Sequence, residues 1–185
     1  HVKIFSRSED NRRAFAETYG PKFEIEIEPV DAPDGLVEDV DVVLCATNTN
    51  VELFDGNRLV PGQHVTGIIG SNKQLVQGGF LKKARREIDD KTAVKADVIV
   101  TNLKESMVSE EQGDLYGPIQ AGLIGIDDVY ELGDLATGNH PGRTSEDQIT
   151  YHKNNNGTGS SEMAMAMTAY RRAVEEGRGT EIELG

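Results

Sequence analysis

A chain of 185 residues with 19 basic against 32 acidic side chains has a formal charge of -13. That balance excludes a general nucleic-acid binder, which needs clustered Lys and Arg to neutralise phosphates. No run of about 18 apolar residues suggests a membrane span, and the start does not read as an export signal. The single Cys45 rules out an internal disulfide, so the expectation is a cytoplasmic protein of one domain with at most a small appendage.

The chain opens on a strand, HVKIFS. SEDNRRAFAETYG follows as a helix with Ser8 as N-cap, Ala14, Phe15 and Tyr19 on an apolar face and Gly20 as the stop. KFEIEIE alternates as a strand, and APDGLVED is a short helical turn. VDVVLCATN is a continuous apolar run closed by small polar residues, the pattern of a strand buried on both faces. QHVTGIIGSN repeats it, REIDDKTAVKA reads as a helix and DVIVTN as another buried strand. After KESMVSEEQGDL come short helical pieces around GPIQAGLIG and IDDVYELGDLATG. A last strand, QITYHK, leads into a helix over about residues 160–176, where Met163, Met167, Tyr170 and Val174 share a stripe suited to a core or dimer contact. Alternating strands and helices predict an α/β, doubly wound, mostly parallel sheet. The polar loop GNHPGRTSED divides it into residues 1–147 and a strand–helix segment, 148–185.

Ligands of such sheets bind beyond the carboxyl ends of the strands. Three of those ends are small, hydrogen-bonding loops: Ser6, Arg7 and Ser8; Ala46, Thr47 and Asn48; and Gly70, Ser71 and Asn72. Together they point to a nucleotide site. The first loop has no carboxylate before Glu9 to accept from a ribose 2′-hydroxyl, and the Arg7 guanidinium suits a 2′-phosphate, so NADP(H) is favoured over NAD(H). The bland reading is a solvated Arg7 and a Ser8 that only caps a helix. A strand–glycine turn–helix unit for the pyrophosphate is not found at the head of these 185 residues, where it is expected in such a sheet. The glycines of NNNGTGSSE come after the last strand and are not that unit.

The segment VYELGDLATGNHPGRTSEDQIT, supported by PGQHVTGIIGSN, RREID, ADVIVTN and EEQGDL, resembles the ornithine cyclodeaminase/mu-crystallin family over about 180 residues. The resemblance implies a Rossmann-like domain lacking its first strand–helix unit and the substrate domain before it. It further implies a nicotinamide cofactor, a small amino acid or cyclic imine as substrate, and a homodimer. Thr47 matches a cofactor-contacting Thr, Ile69, Gly70 and Ser71 the loop near the nicotinamide, Ser6 and Arg7 the ribose-proximal position, and Asn155 (or Asn154) a late Ser that touches the cofactor.

Cyclodeaminases have a proton-transferring Asp where this chain has Asn72, and an amide cannot shuttle a proton as a carboxylate does. Imine reduction or amino-acid oxidation is therefore favoured over ornithine cyclodeamination, with Asn72 and Arg85 as candidate catalytic residues. Arg85 would stand where some members place a substrate-contacting Lys, after a loop lengthened by KQLVQGGFLKKA. The alternative is a truncated, non-catalytic module that binds nucleotide weakly or only dimerises. In either case the strands flanking the missing first strand are expected to pair directly or to borrow structure from a second copy. His64, His140 and His152 read as isolated structural residues, no spacing suggests a metal site, and Glu162 suits the start of a helix.

Overall fold

The structure, a computed structural model, describes residues 1–154, 159–180 and 182, with Ser160 described in its backbone only. The chain separates into His1–Asn155 and Asn156–Gly185. The break follows the last strand, where the sequence suggested one before it at residue 147.

The first unit begins with β1 (Val2–Ile4), helix α1 (Glu9–Phe23) and β2 (Ile27–Pro29). Ser8 caps α1 by accepting from the Asn11 N–H at 3.2 Å, worth about 1 kcal/mol. The helix runs past Gly20 and ends at Glu24, in the left-handed region at φ 56°, so the first residues expected in a strand are helical. Arg12, 8% exposed, donates to the Ser6 carbonyl at 3.2 Å and to Asp31 at 2.7 Å. One side chain thus ties α1 to the loops after both strands.

Five more strands form a second, wholly parallel sheet: β3 (Val42–Cys45), β4 (His64–Gly67), β5 (Val98–Thr101), β6 (Val129–Glu131) and β7 (Thr150–Lys153), in spatial order β3-β4-β7-β5-β6. β7 is inserted between β4 and β5, pairing Gly67 with Lys153 and Lys153 with Thr101. It therefore belongs to the sheet, and β6 is a strand in a stretch read as helical. β1 pairs only with β2, as a separate two-stranded sheet. Direct pairing of β1 with β3, one of the two expected outcomes, does not occur.

One face of the large sheet presents Val43, Val65, Tyr151, Ile99 and Val129, all buried. Ala93 of α3 (Asp90–Lys95), Met107 of α4 (Lys104–Ser109) and Leu115 of α5 (Gly113–Gln120) join them in the core, with Ile88, Phe54 and Leu59. The opposite face is covered at β5, where all four residues are buried, but open at β3, where Val42 and Leu44 are 59% and 65% exposed. Burial on both faces, expected for β3, holds only for β5. β3 is an edge strand.

The REIDD stretch is not helical before Asp90, because its backbone is held elsewhere. Asp114 accepts the Glu87 and Ile88 N–H groups at 3.0 and 3.2 Å, and Asp89 caps α3 through the Thr92 N–H at 2.9 Å.

In the second unit α7 (Gly159–Glu175) exposes Met163, Met165, Met167, Tyr170 and Val174. The stripe expected to be packed is an apolar face. No helix among the described residues is long and apolar enough to cross a membrane.

Candidate nucleotide site at the carboxyl ends of the strands

Because all five strands of the large sheet are parallel, the loops after β3, β4, β5 and β7 emerge at one end of it. A ligand of an open α/β sheet belongs there. A groove also opens at the amino ends of β3 and β4, between residues 37–42 and 143–146. Topology and chemistry favour the carboxyl ends, where buried polar groups converge.

Beneath those loops lies Glu87, completely buried. Its Oε2 accepts the Thr47 N–H at 3.0 Å and the Thr47 hydroxyl at 2.8 Å. Its Oε1 accepts the Ile68 and Ile69 N–H groups at 2.7 and 2.9 Å. Four donors from two loops saturate one carboxylate, which is the condition for burying it. Gly67 makes room for it: a Cβ there would lie 3.3 Å from Glu87 Oε1 and 2.5 Å from Ile88 Cδ1.

Beside Glu87, two more fully buried charges form an ion pair, Lys153 Nζ to Asp114 Oδ2 at 2.8 Å. Lys153 also donates to the Ile69 carbonyl. Arg86 approaches the other Asp114 oxygen at 4.0 Å. Cys45 feels this surrounding: burial, then the Glu87 and Asp114 carboxylates, push its thiol up to about 12, against the pull of Lys153. Burial also raises the Tyr151 phenol, whose hydroxyl has no hydrogen-bond partner among the described residues.

The residues singled out from sequence divide sharply. The Thr47 hydroxyl is committed to Glu87. Ser71 is buried and donates to the Glu110 carbonyl. Both hydroxyls turn inward, although a cofactor-contacting role was expected of these residues. Ser8 caps α1, as the bland reading had it. Ser6 offers its carbonyl to Arg12, whereas Arg7, Ala46, Asn48 and Gly70 are exposed. Ile69 is buried with its N–H and C=O both occupied. Asn72 adopts the left-handed conformation at φ 56° and donates its side-chain amide to the Gly70 carbonyl at 3.0 Å. Arg85 donates its backbone N–H to Ser71 at 3.0 Å, and its buried Nε has no partner among the described residues. Asn155 lies outside the described residues. Its neighbour Asn154 donates its N–H to Gly67 at 2.9 Å and accepts from Asn102 at 3.0 Å.

Sequence reasoning missed Glu87, Asp114, Lys153 and Arg12. For Lys153 the signal was a charge within the strand ITYHK; Arg12, Glu87 and Asp114 lie in charged stretches that hide them. His152, read as isolated, shares a hydrogen bond with Asn102 at 2.8 Å, and His64 shares one with Thr150 at 2.7 Å. No cluster among the described residues could hold a metal ion.

These loops fit the nicotinamide end of a dinucleotide in three respects. Gly70 is exposed, with open space where a Cβ would stand. The orphaned Arg85 Nε and Asn50 Oδ1 are a donor and an acceptor without protein partners. Inward-turned side chains leave backbone as the surface that a flat ring would meet.

Known proteins agree with this architecture. A Delta(1)-pyrroline-2-carboxylate reductase of Bacillus cereus is 28% identical over 183 residues, covering 98% of this chain and 52% of that protein. The Delta(1)-pyrroline-2-carboxylate reductase of Thermococcus litoralis, solved in complex with NADH and L-proline, superposes with a TM-score of 0.84 at 26% identity, over 97% of this chain and 52% of its own. An iminosuccinate reductase of Paracoccus denitrificans in complex with NAD+ has the same fold, with a TM-score of 0.82 at 24% identity over 99% of this chain and 52% of its own. The chain spans about half the length of the relatives it matches. Residues 1–177 match the model of one family, and the chain belongs to it: the ornithine cyclodeaminase/mu-crystallin family.

Proposed function

We propose that this chain is the dinucleotide-binding part of a nicotinamide-dependent imine reductase acting on a small cyclic imine or imino acid. The observation that carries this reading is the loop over residues 68–72. Its backbone is braced from below by Glu87 and Lys153, its glycine is open, and position 72 is an amide rather than a proton-transferring carboxylate. That chemistry suits hydride transfer, in which the protein supplies orientation and electrostatics, and disfavours cyclodeamination, which needs the carboxylate. The reductase relatives support the same class of reaction.

When bound, the cofactor supplies the hydride. This chain's residues orient it: the loops after β3 and β4 at the nicotinamide end and the Ser6–Arg7 tip at the ribose. Arg7 is exposed and no described side chain pairs with it, so a 2′-phosphate is its fitting partner and NADP(H) the favoured cofactor. Arg85, whose backbone N–H is bonded to Ser71 and whose Nε has no partner among the described residues, is the side chain to which we assign contact with a substrate carboxylate. The apolar stripe of α7 suits a homodimer, and the free, buried Cys45 a cytoplasmic setting.

Calorimetric titration of the chain with NADPH and NADH tests this. Saturable binding of at least one supports the reading, and no binding of either at about millimolar concentration, near -4 kcal/mol, sinks it. Tighter NADH than NADPH binding overturns the role given to Arg7.

A further inference from the structure

We infer that Lys153, held by Asp114, is a positioning residue that turns the Gly70 backbone N–H outward as a hydrogen-bond donor to a carbonyl oxygen of the bound ligand. The inference rests on the cofactor reading above and deepens it.

The starting point is the pair of fully buried opposite charges, Lys153 and Asp114. Apolar replacement of such pairs is often neutral or stabilising, so a buried pair is poor evidence of stabilisation. The groups it reaches are more informative. Asp114 Oδ1 accepts the Glu87 and Ile88 N–H groups, and Asp114 Oδ2 accepts from Lys153. The Glu87 carboxylate accepts the Ile69 N–H, while Lys153 donates to the Ile69 carbonyl. A closed ring of contacts therefore begins and ends on Ile69. Its reach is long in sequence: Ile69 and Lys153 are 84 positions apart, and Asp114 and Lys153 are 39 apart.

Planarity carries that grip forward by one residue. The described residues contain no cis peptide bond. In a trans peptide the C=O of one residue and the N–H of the next point in opposite directions. With the Ile69 carbonyl drawn inward to Lys153, the Gly70 N–H faces outward. No described residue accepts from that N–H, whereas the Gly70 carbonyl is taken by Asn72. Gly70 is exposed and free of neighbours at its Cβ position. A donor of fixed direction on a bare backbone matches an amide or carboxyl oxygen of a flat ligand.

The test compares the wild-type chain with Asp114→Asn/Lys153→Met, a neutral pair of similar volume that keeps an acceptor for Glu87 and Ile88. Each is titrated with the tighter-binding dinucleotide and with ADP-ribose (its 2′-phosphate form if NADPH is preferred), which lacks the nicotinamide. The expected result is about a five- to tenfold loss of dinucleotide affinity, the worth of one hydrogen bond, with ADP-ribose affinity unchanged. Equal losses for both ligands mean a merely structural role and overturn the inference, as does no loss for either. Should the variant fail to fold, hydrogen exchange at the Gly70 amide of the wild-type chain decides. Dinucleotide must slow it severalfold and ADP-ribose must not; exchange unaffected by dinucleotide overturns the inference. If the wild-type chain binds neither ligand, the cofactor reading itself has failed and the inference falls with it. If it binds both and the variant responds alike to each, only the positioning role has failed.

Discussion

Replacing Glu87 by Gln removes one charge and no volume, and its cost can be worked from four hydrogen bonds. A carboxamide keeps one acceptor oxygen, so its NH2 must face either the Thr47 pair or the Ile68 and Ile69 N–H groups. Facing residues 68 and 69, it would orphan two buried backbone donors. Facing Thr47, it orphans only one, because the hydroxyl can rotate to accept while the backbone N–H cannot. The second arrangement wins. One buried orphan costs about 1–3 kcal/mol, and the two surviving bonds lose roughly half their strength with the charge, about another 1–2 kcal/mol. Relief from burying a carboxylate returns part of this, leaving about 2–4 kcal/mol of destabilisation. With an m-value of about 2 kcal/mol/M, the urea midpoint followed by circular dichroism should fall by about 1–2 M. A midpoint equal to or above that of the wild type would refute the claim that this carboxylate holds the two loops.

Two further outcomes follow from the same region and its neighbours. Gly67→Ala would place a methyl 2.5 Å from Ile88 Cδ1, a side chain with no exposure and hence no free space to retreat into. An overpacking cost of about 1–3 kcal/mol should lower the Tm by roughly 2–12 °C in a thermal melt, and an unchanged Tm would show that the core there is looser than drawn. Burial, aided by the Arg143 guanidinium, lowers the pKa of His64; burial, aided by His64, lowers that of His152. The folded chain therefore binds fewer protons than the unfolded one just below about pH 6.5. Stability is complete above that value and declines as pH falls through the lower folded pKa values. Tm measured from about pH 7.5 to about pH 5 should drop less steeply in His64→Asn/His152→Gln than in the wild type. Equal slopes would assign the acid sensitivity to other groups.

The parts of the fold that local pattern specifies were legible: apolar runs ended by small polar residues mark β3, β4 and β5, and Ser8 marks the start of α1. Contacts between distant residues were not. Nothing local shows that β7 enters the sheet between β4 and β5, because strand order depends on where a crossover lands. REID looked helical by its spacing, yet Asp114, 27 positions after Glu87, takes its N–H and holds the segment extended. The candidate site failed in the same way. Sequence identified loops with hydroxyls and amides, but which way a hydroxyl turns depends on its partner, and for Thr47 that is a carboxylate 40 positions away.

This has a consequence for how the site should be probed. Substituting Thr47 or Ser71 alters the brace under the loops, so lost binding in such variants would report packing as much as contact with ligand. On the proposed reading, the groups left to meet a ligand include the backbone at Gly70, the guanidinium of Arg7, Asn50 Oδ1 and the orphaned Nε of Arg85. Of these, the Gly70 backbone alone cannot be removed by side-chain substitution. A dinucleotide site carried by backbone is expected to tolerate many exposed substitutions and to be most sensitive at Glu87, Asp114 and Lys153, all fully buried. These three residues determine where the loop's donors point, and they are fixed by pairings that no stretch of sequence contains by itself.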